Sequence, residues 1–225
     1  SIGLTGTNAG DFAQTNTCPL GPTTLAVGDS CTISVTFAPT AAGSRSAGVS
    51  LVDDAPGSPQ TIVLSGTGTV PAVTLTPGSL NFGNQLIGTS SAAQSSTLQN
   101  TGNAPLVISS IGLTGANAGD FVQLSDCPLS PSTLAVGASC TISVTFTPTA
   151  SGSRTASVTI SDNAPGAPHA IALSGTGVAA APAVSFSPAS LGFGNQLVGT
   201  SSAAQDVTLT NSGTAALTIG SIAGA

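Results

Sequence analysis

The stretch CTISVTF at 140–146 reads as two interleaved series. Cys140, Ile142, Val144 and Phe146 fall on one side; Thr141, Ser143 and Thr145 fall on the other. Alternation of period two marks a strand with one face on a core and one in water. The same heptapeptide stands at 31–37, with Cys31, Ile33, Val35 and Phe37 on its apolar side. Further on, Ala156, Val158 and Ile160, then Ile171 and Leu173, again take every second position, and Val207 and Leu209 mark another strand. Turn clusters separate these runs: DDAPGSP (53–59), NTGNAP (100–105), TPTASGS (147–153) and DNAPGAP (162–168). Proline presets φ there, glycine accepts the tight backbone, and Asx side chains bond their own main chain. No stretch sustains a helical period. About seven short strands in about 110 residues predict an all-β chain of tandem immunoglobulin-like β-sandwich domains.

The heptapeptide recurs because the chain is a repeat. Residues 1–68 align without a gap to 110–177, with 48 of 68 positions identical. Residues 71–110 align to 182–221, with 14 differences in 40. An internal period of this length sets the domain plan before any local reading does. The plan is a back part (1–70) that lacks its first strands, a complete repeat (71–178), and a linker with the first strands of a further repeat (179–225).

Composition excludes several classes. The chain is 40% hydrophobic and 4% charged, with no Lys, Glu, Met, Trp or Tyr. Disordered chains are charged and poor in apolar residues, so this one is expected to fold. Its net charge of -6 and two arginines argue against nucleic acid, which needs Lys and Arg to displace counterions. No apolar run approaches the length of a membrane span. Without Trp or Tyr the stacking platform of a sugar-binding module is hard to build. The low charge suits a packed fibre better than a free monomer. With no initiator Met and no signal peptide, the chain is expected to be processed or a piece of something longer.

One set of residues resembles a known family. LNFGNQLIGTSSAAQ (80–94), TLQNTGNAPLVISSI (97–111), DFVQLSDC (120–127), LAVGASCTISVTFTPTASGSRTASVTISDNAPG (134–166) and IALSGTG (171–177) together resemble the bacterial choice-of-anchor D repeat. That repeat is related to the ASH (abnormal-spindle and hydin-like) domains. The resemblance covers the whole chain. It implies an Ig-like sandwich in secreted or surface-anchored bacterial proteins, in tandem arrays, with no catalytic residues.

Each back part carries two cysteines thirteen apart: Cys18 and Cys31, then Cys127 and Cys140. One pair per repeat predicts an intradomain disulfide from the loop after GDF to the start of the CTISVTF strand; the alternative is free buried thiols. A disulfide implies an oxidising compartment and hence an extracellular location. Zinc needs four ligands and the chain has one histidine, so no metal and no cofactor are expected. His169 stands where the other repeat has Gln60, and is expected to be an exposed strand residue. Asp53, Asp54 and Asp162 lie in turns and are expected to cap them. Asp11 and Asp120 have Arg45 and Arg154 as the available cations, but solvated loop charges are the expectation. No pair of carboxylates is placed for acid–base work, so the chain is not expected to be an enzyme.

The two incomplete parts together make one repeat. Standing alone, each exposes a core side and open strand edges. In one arrangement Val184, Phe186, Leu191, Phe193, Val207 and Leu209 act as strand donors to the back part of the next copy, giving a head-to-tail homopolymer. In another, the residues are a window on a longer tandem array. A plain fragment with frayed ends is the third. The expected role is a structural subunit of an extracellular fibre or cell-surface stalk. The alternative is an adhesin carried on that stalk, its variable loop being AQTNTC (13–18) against VQLSDC (122–127).

Overall fold

The computed structural model describes residues 1–223. Regular structure is almost wholly strand; the exceptions are single 3-10 turns at Ala9–Asp11 and Ala118–Asp120. The back part holds β1 (Ile2–Thr5), β2 (Phe12–Asn16), β3 (Ile33–Phe37), β4 (Gly43–Leu51) and β5 (Gln60–Gly68). They form a three-stranded sheet in the order β1-β4-β5 and a separate β2-β3 pair.

The complete repeat has eight strands, one more than the pattern predicts: β6 (Val73–Thr76), β7 (Ser79–Leu86), β8 (Gln94–Asn100), β9 (Ile108–Thr114), β10 (Phe121–Ser125), β11 (Ser139–Phe146), β12 (Gly152–Asp162) and β13 (His169–Val178). One sheet runs β10-β11-β8-β6 and the other β7-β13-β12-β9. The pairs are antiparallel except β7 with β13, which is parallel. The inner faces supply a single core that includes Leu80, Leu98, Leu106, Ile108, Ile142 and Ile171. The apolar series of the opening heptapeptide, Cys140, Ile142, Val144 and Phe146, is buried throughout, while Thr141 is exposed. Valine, isoleucine and threonine suit this pleated surface because their branched side chains pack against neighbours across the sheet.

The GTG motif near the end of β13 has a steric reason. A Cβ on Gly175 would stand 2.5 Å from the Phe146 ring, so only glycine lets the ring lie flat on the strand. Gly66 and Phe37 repeat the arrangement in the back part.

The final part forms β14 (Val184–Ser187) and β15 (Thr208–Asn211), paired with each other. Here the structure corrects the sequence reading. The segment 190–197 matches β7 except for Gly192 in place of Asn81, but is not a strand, and Val207 lies one residue before β15. In the complete repeat β7 is held along β13, and β8 along β11 from Gln94 to Gln99. The final part contains no counterpart of β13 or β11 among the described residues, so those backbone groups have no ladder partner there.

Candidate functional site: two uncovered half-cores

The back part carries residues equivalent to one share of the complete repeat's core, and the final part residues equivalent to the rest. In the complete repeat Phe82, Phe121 and Phe146 form a ring cluster, with centroid separations of 5.9, 5.8 and 4.9 Å. The back part keeps two of the three, Phe12 and Phe37, at 4.8 Å. The third is Phe193, in the final part, and it is 51% exposed.

The same division runs through the whole core. Phe146 and Ile171 are fully buried, whereas their counterparts Phe37 and Ile62 are 38% and 54% exposed. Leu106 and Ile108 are fully buried in the complete repeat; Leu217 is half-buried and Ile219 exposed in the final part. Of the six predicted donors, Val184, Phe186, Phe193 and Val207 are exposed, and Leu191 and Leu209 are half-buried. Leu217 and Ile219 belong with them. Neither lies in a strand of period two, so alternation alone did not find them, but the offset of 111 residues maps them onto Leu106 and Ile108. In the back part Leu25, Val35, Phe37 and Ile62 are likewise exposed. Cys18, Leu20, Leu25, Cys31, Leu51 and Val52 line an open cleft.

Polar groups are divided in the same way. Asn100 is fully buried and its Nδ2 donates to the carbonyls of Ala104 at 2.8 Å and Leu134 at 3.1 Å. Asn211 makes the first of these bonds, to Ala215 at 2.7 Å. The counterpart of Leu134 is Leu25, in the other half. The backbone of Leu106 and Leu134 bonds reciprocally at 2.9 Å in both directions, again joining a front segment to a back one.

The cysteines join as Cys18–Cys31 and Cys127–Cys140, with Cα atoms 4.9 and 5.0 Å apart. Asp126 lies beside the second pair, but both sulfurs are covalently committed and its carboxylate accepts from the Thr141 amide at 2.6 Å. That group therefore offers no set of free metal ligands.

Three ionisable residues depart from expectation. Asp11 and Asp120 are buried rather than solvated. Asp120 accepts from the Arg154 Nε, from the Thr149 hydroxyl at 2.7 Å and from the Thr149 amide at 3.2 Å. Asp11 does the same with Arg45 and Thr40. Each aspartate thus ties the turn before β2 or β10 to the connection that crosses between the sheets, from β3 to β4 or from β11 to β12. Hydrogen bonds from Arg45 and Thr40 hold the Asp11 carboxyl down at about 2, against some opposition from burial. Burial pushes Asp120 up, but the bonds from Arg154 and Thr149 outweigh it and the carboxyl stays below its ordinary value. His169 is half-buried rather than exposed, its Nδ1 2.9 Å from Asp162 Oδ2. Asp53 and Asp162 do cap their turns, accepting from the amides of Ala55 and Ala164.

Residues 71–176 match the HYDIN/CFA65/VesB-like Ig-like domain family. The complete repeat is thus immunoglobulin-like, in agreement with its two packed sheets. Solved structures similar to the chain include the ASH/PapD-like domain 7 of human CEP192. It is 19% identical, covers 48% of this chain and 87% of that chain, and has a TM-score of 0.33. The secreted serine protease VesC from Vibrio cholerae is 17% identical over 52% of this chain, with a TM-score of 0.34; the match spans 24% of the protease. WR4, a C. elegans MSP family member, is 8% identical over 47% of this chain and 97% of that chain, with a TM-score of 0.30. No curated protein matches the chain.

Proposed function

We propose that the chain is a structural element of an extracellular bacterial fibre or surface stalk, built from ASH-like units whose half-cores are completed by other copies of the repeat. The completing copy is either a neighbouring chain, head to tail, or a further repeat along one polypeptide. The observation that carries the reading is the contrast between identical side chains. Phe146 and Ile171 are sealed in the complete unit, while Phe37 and Ile62 lie open, with their missing cover present at the other end of the chain. The burial at stake is about 1.5–3 kcal/mol for each large side chain covered. Two disulfides and the absence, among the described residues, of a helix able to cross a membrane fit a secreted protein.

An adhesin is the second reading. On the variable segment, Val122 and Leu124 replace Ala13 and Thr15 and point outward, 57% and 72% exposed.

Electron microscopy with light scattering, on residues 1–225 and on a version ending at residue 178, tests the proposal. Fibres from the longer chain alone place completion between chains. Monomers in both cases shift it to a longer covalent array. Fibres from both would sink half-core completion, since the shortened chain has no donor segments.

A further inference from the structure

Each linker between consecutive units is gripped by the unit that follows it. At the first, the turn after β8 holds Val70–Ala72 by the backbone. The Val70 amide donates to Asn103 Oδ1 at 2.8 Å, and the Val70 carbonyl accepts from the Asn103 amide at 3.0 Å. The Ala72 amide donates to Asn100 Oδ1 at 3.3 Å, and the Ala72 carbonyl accepts from the Thr101 amide at 2.8 Å. Pro71, between them, is buried and has no amide hydrogen to satisfy. A Cβ on Gly102 would collide with the backbone of Val70 and Ala72, so the linker lies directly on the turn.

The second linker is gripped in the same way. The Ala181 amide donates to Thr214 Oγ1 at 3.1 Å, and the Ala181 carbonyl accepts from the Thr214 amide at 2.8 Å. The Ala183 amide donates to Asn211 Oδ1 at 3.3 Å, and the Ala183 carbonyl accepts from the Ser212 amide at 2.9 Å. Gly213 repeats the close approach of Gly102. The two linkers differ in length only ahead of this grip. Thr69 corresponds to Val178 at the offset of 109, whereas Val70 corresponds to Ala181 at the offset of 111. The two extra residues are therefore Ala179 and Ala180.

We propose that Ala179 and Ala180 are a hinge between consecutive units, and that the joint at Thr69–Val70 is stiff. Val178 belongs to the unit before the hinge, since it ends β13 and its carbonyl accepts from the Ile87 amide at 3.0 Å. Ala179 and Ala180 are exposed and, among the described residues, make no hydrogen bond. At the first joint Thr69 alone separates the last ladder residue, Gly68, from the grip on Val70. Each residue held by neither unit adds two soft dihedrals to the joint. The residue before a proline is restricted, so Val70 and Ala181 add little bending of their own. The inference holds whether the half-cores are completed by a neighbouring chain or along one polypeptide. A stalk that contains both joints bends at the longer one.

Electron–electron resonance between nitroxide labels tests this in the full chain, diluted into unlabelled chain so that only distances within one copy are read. Ser46→Cys with Thr97→Cys spans the first joint, and Ala172→Cys with Thr210→Cys spans the second; all four positions are exposed. The distance distribution across the second joint should be about twofold broader, because of its added dihedrals. Deleting Ala179 and Ala180 should narrow it to the width of the first. Inserting two alanines between Thr69 and Val70 should broaden the first to match the second. Equal widths in the parent chain would overturn the proposal. So would a deletion that leaves the second distribution broad, since the spread would then lie within the final part and not at the joint.

Discussion

Asp120 shows what a single residue contributes that its sequence context conceals. An aspartate in an NAGD loop reads as a solvated charge, because its cation lies 34 positions away on another strand. Only the folded turn brings Arg154 and Thr149 to it. Replacing Asp120 with Asn keeps the size but removes the ionic partner of Arg154 and weakens two acceptor contacts. A loss of about 1–3 kcal/mol is expected, read as a lower urea midpoint for the variant. The pH dependence has a definite sign. A carboxyl held below its ordinary 3.8 in the folded chain, as Asp11 is at about 2, stabilises fully above that ordinary value. The contribution then disappears as pH falls through the window towards 2. Urea midpoints measured at several pH values should therefore fall across this range, and Asp11→Asn with Asp120→Asn should flatten the decline.

Among the elements, strands with equal sequences meet different fates. Alternation in CTISVTF was enough to identify β3 and β11 and to say which side faces inward. It was not enough to say whether anything covers that side, which depends on segments about fifty residues distant in the complete repeat and in the other half for β3. Segment 190–197 carries all but one of the residues of β7, yet a strand exists only when its backbone groups have a partner. The disulfides were legible from the repeated spacing, and the fold class from the turns; Leu217 and Ile219, beyond the last strand, were legible only through the repeat offset and not from alternation. Matched substitutions measure the difference. Ile171→Ala should cost about 2–5 kcal/mol, as for a well-packed core side chain. Ile62→Ala should cost well under half of that in dilute monomer, and approach it when the half-core is filled. Thermal denaturation of the two variants at low and high protein concentration makes the comparison.

For the whole molecule, each disulfide closes a loop of thirteen residues' separation between two strands of one sheet. Replacing Cys127 and Cys140 together with serine should lower stability by about 3 kcal/mol, measured by denaturant titration against the parent. The effect should fall on the complete unit and leave the Cys18–Cys31 half unchanged.

The parallel pairing of β7 with β13 bears on tension. Pulling a chain of such units draws β7 from its amino end and β13 from its carboxyl end. Because the two strands run in the same direction side by side, those forces slide them lengthwise past one another. Their hydrogen bonds then share the load and break together, rather than opening one after another like a zipper. The short β6 yields first, and the β7–β13 seam holds until a much higher force. Single-molecule stretching of several complete units joined in tandem should show this as a tall, sharp rupture peak, and a unit with Leu80→Pro, which removes an amide from the seam, should rupture at a lower force.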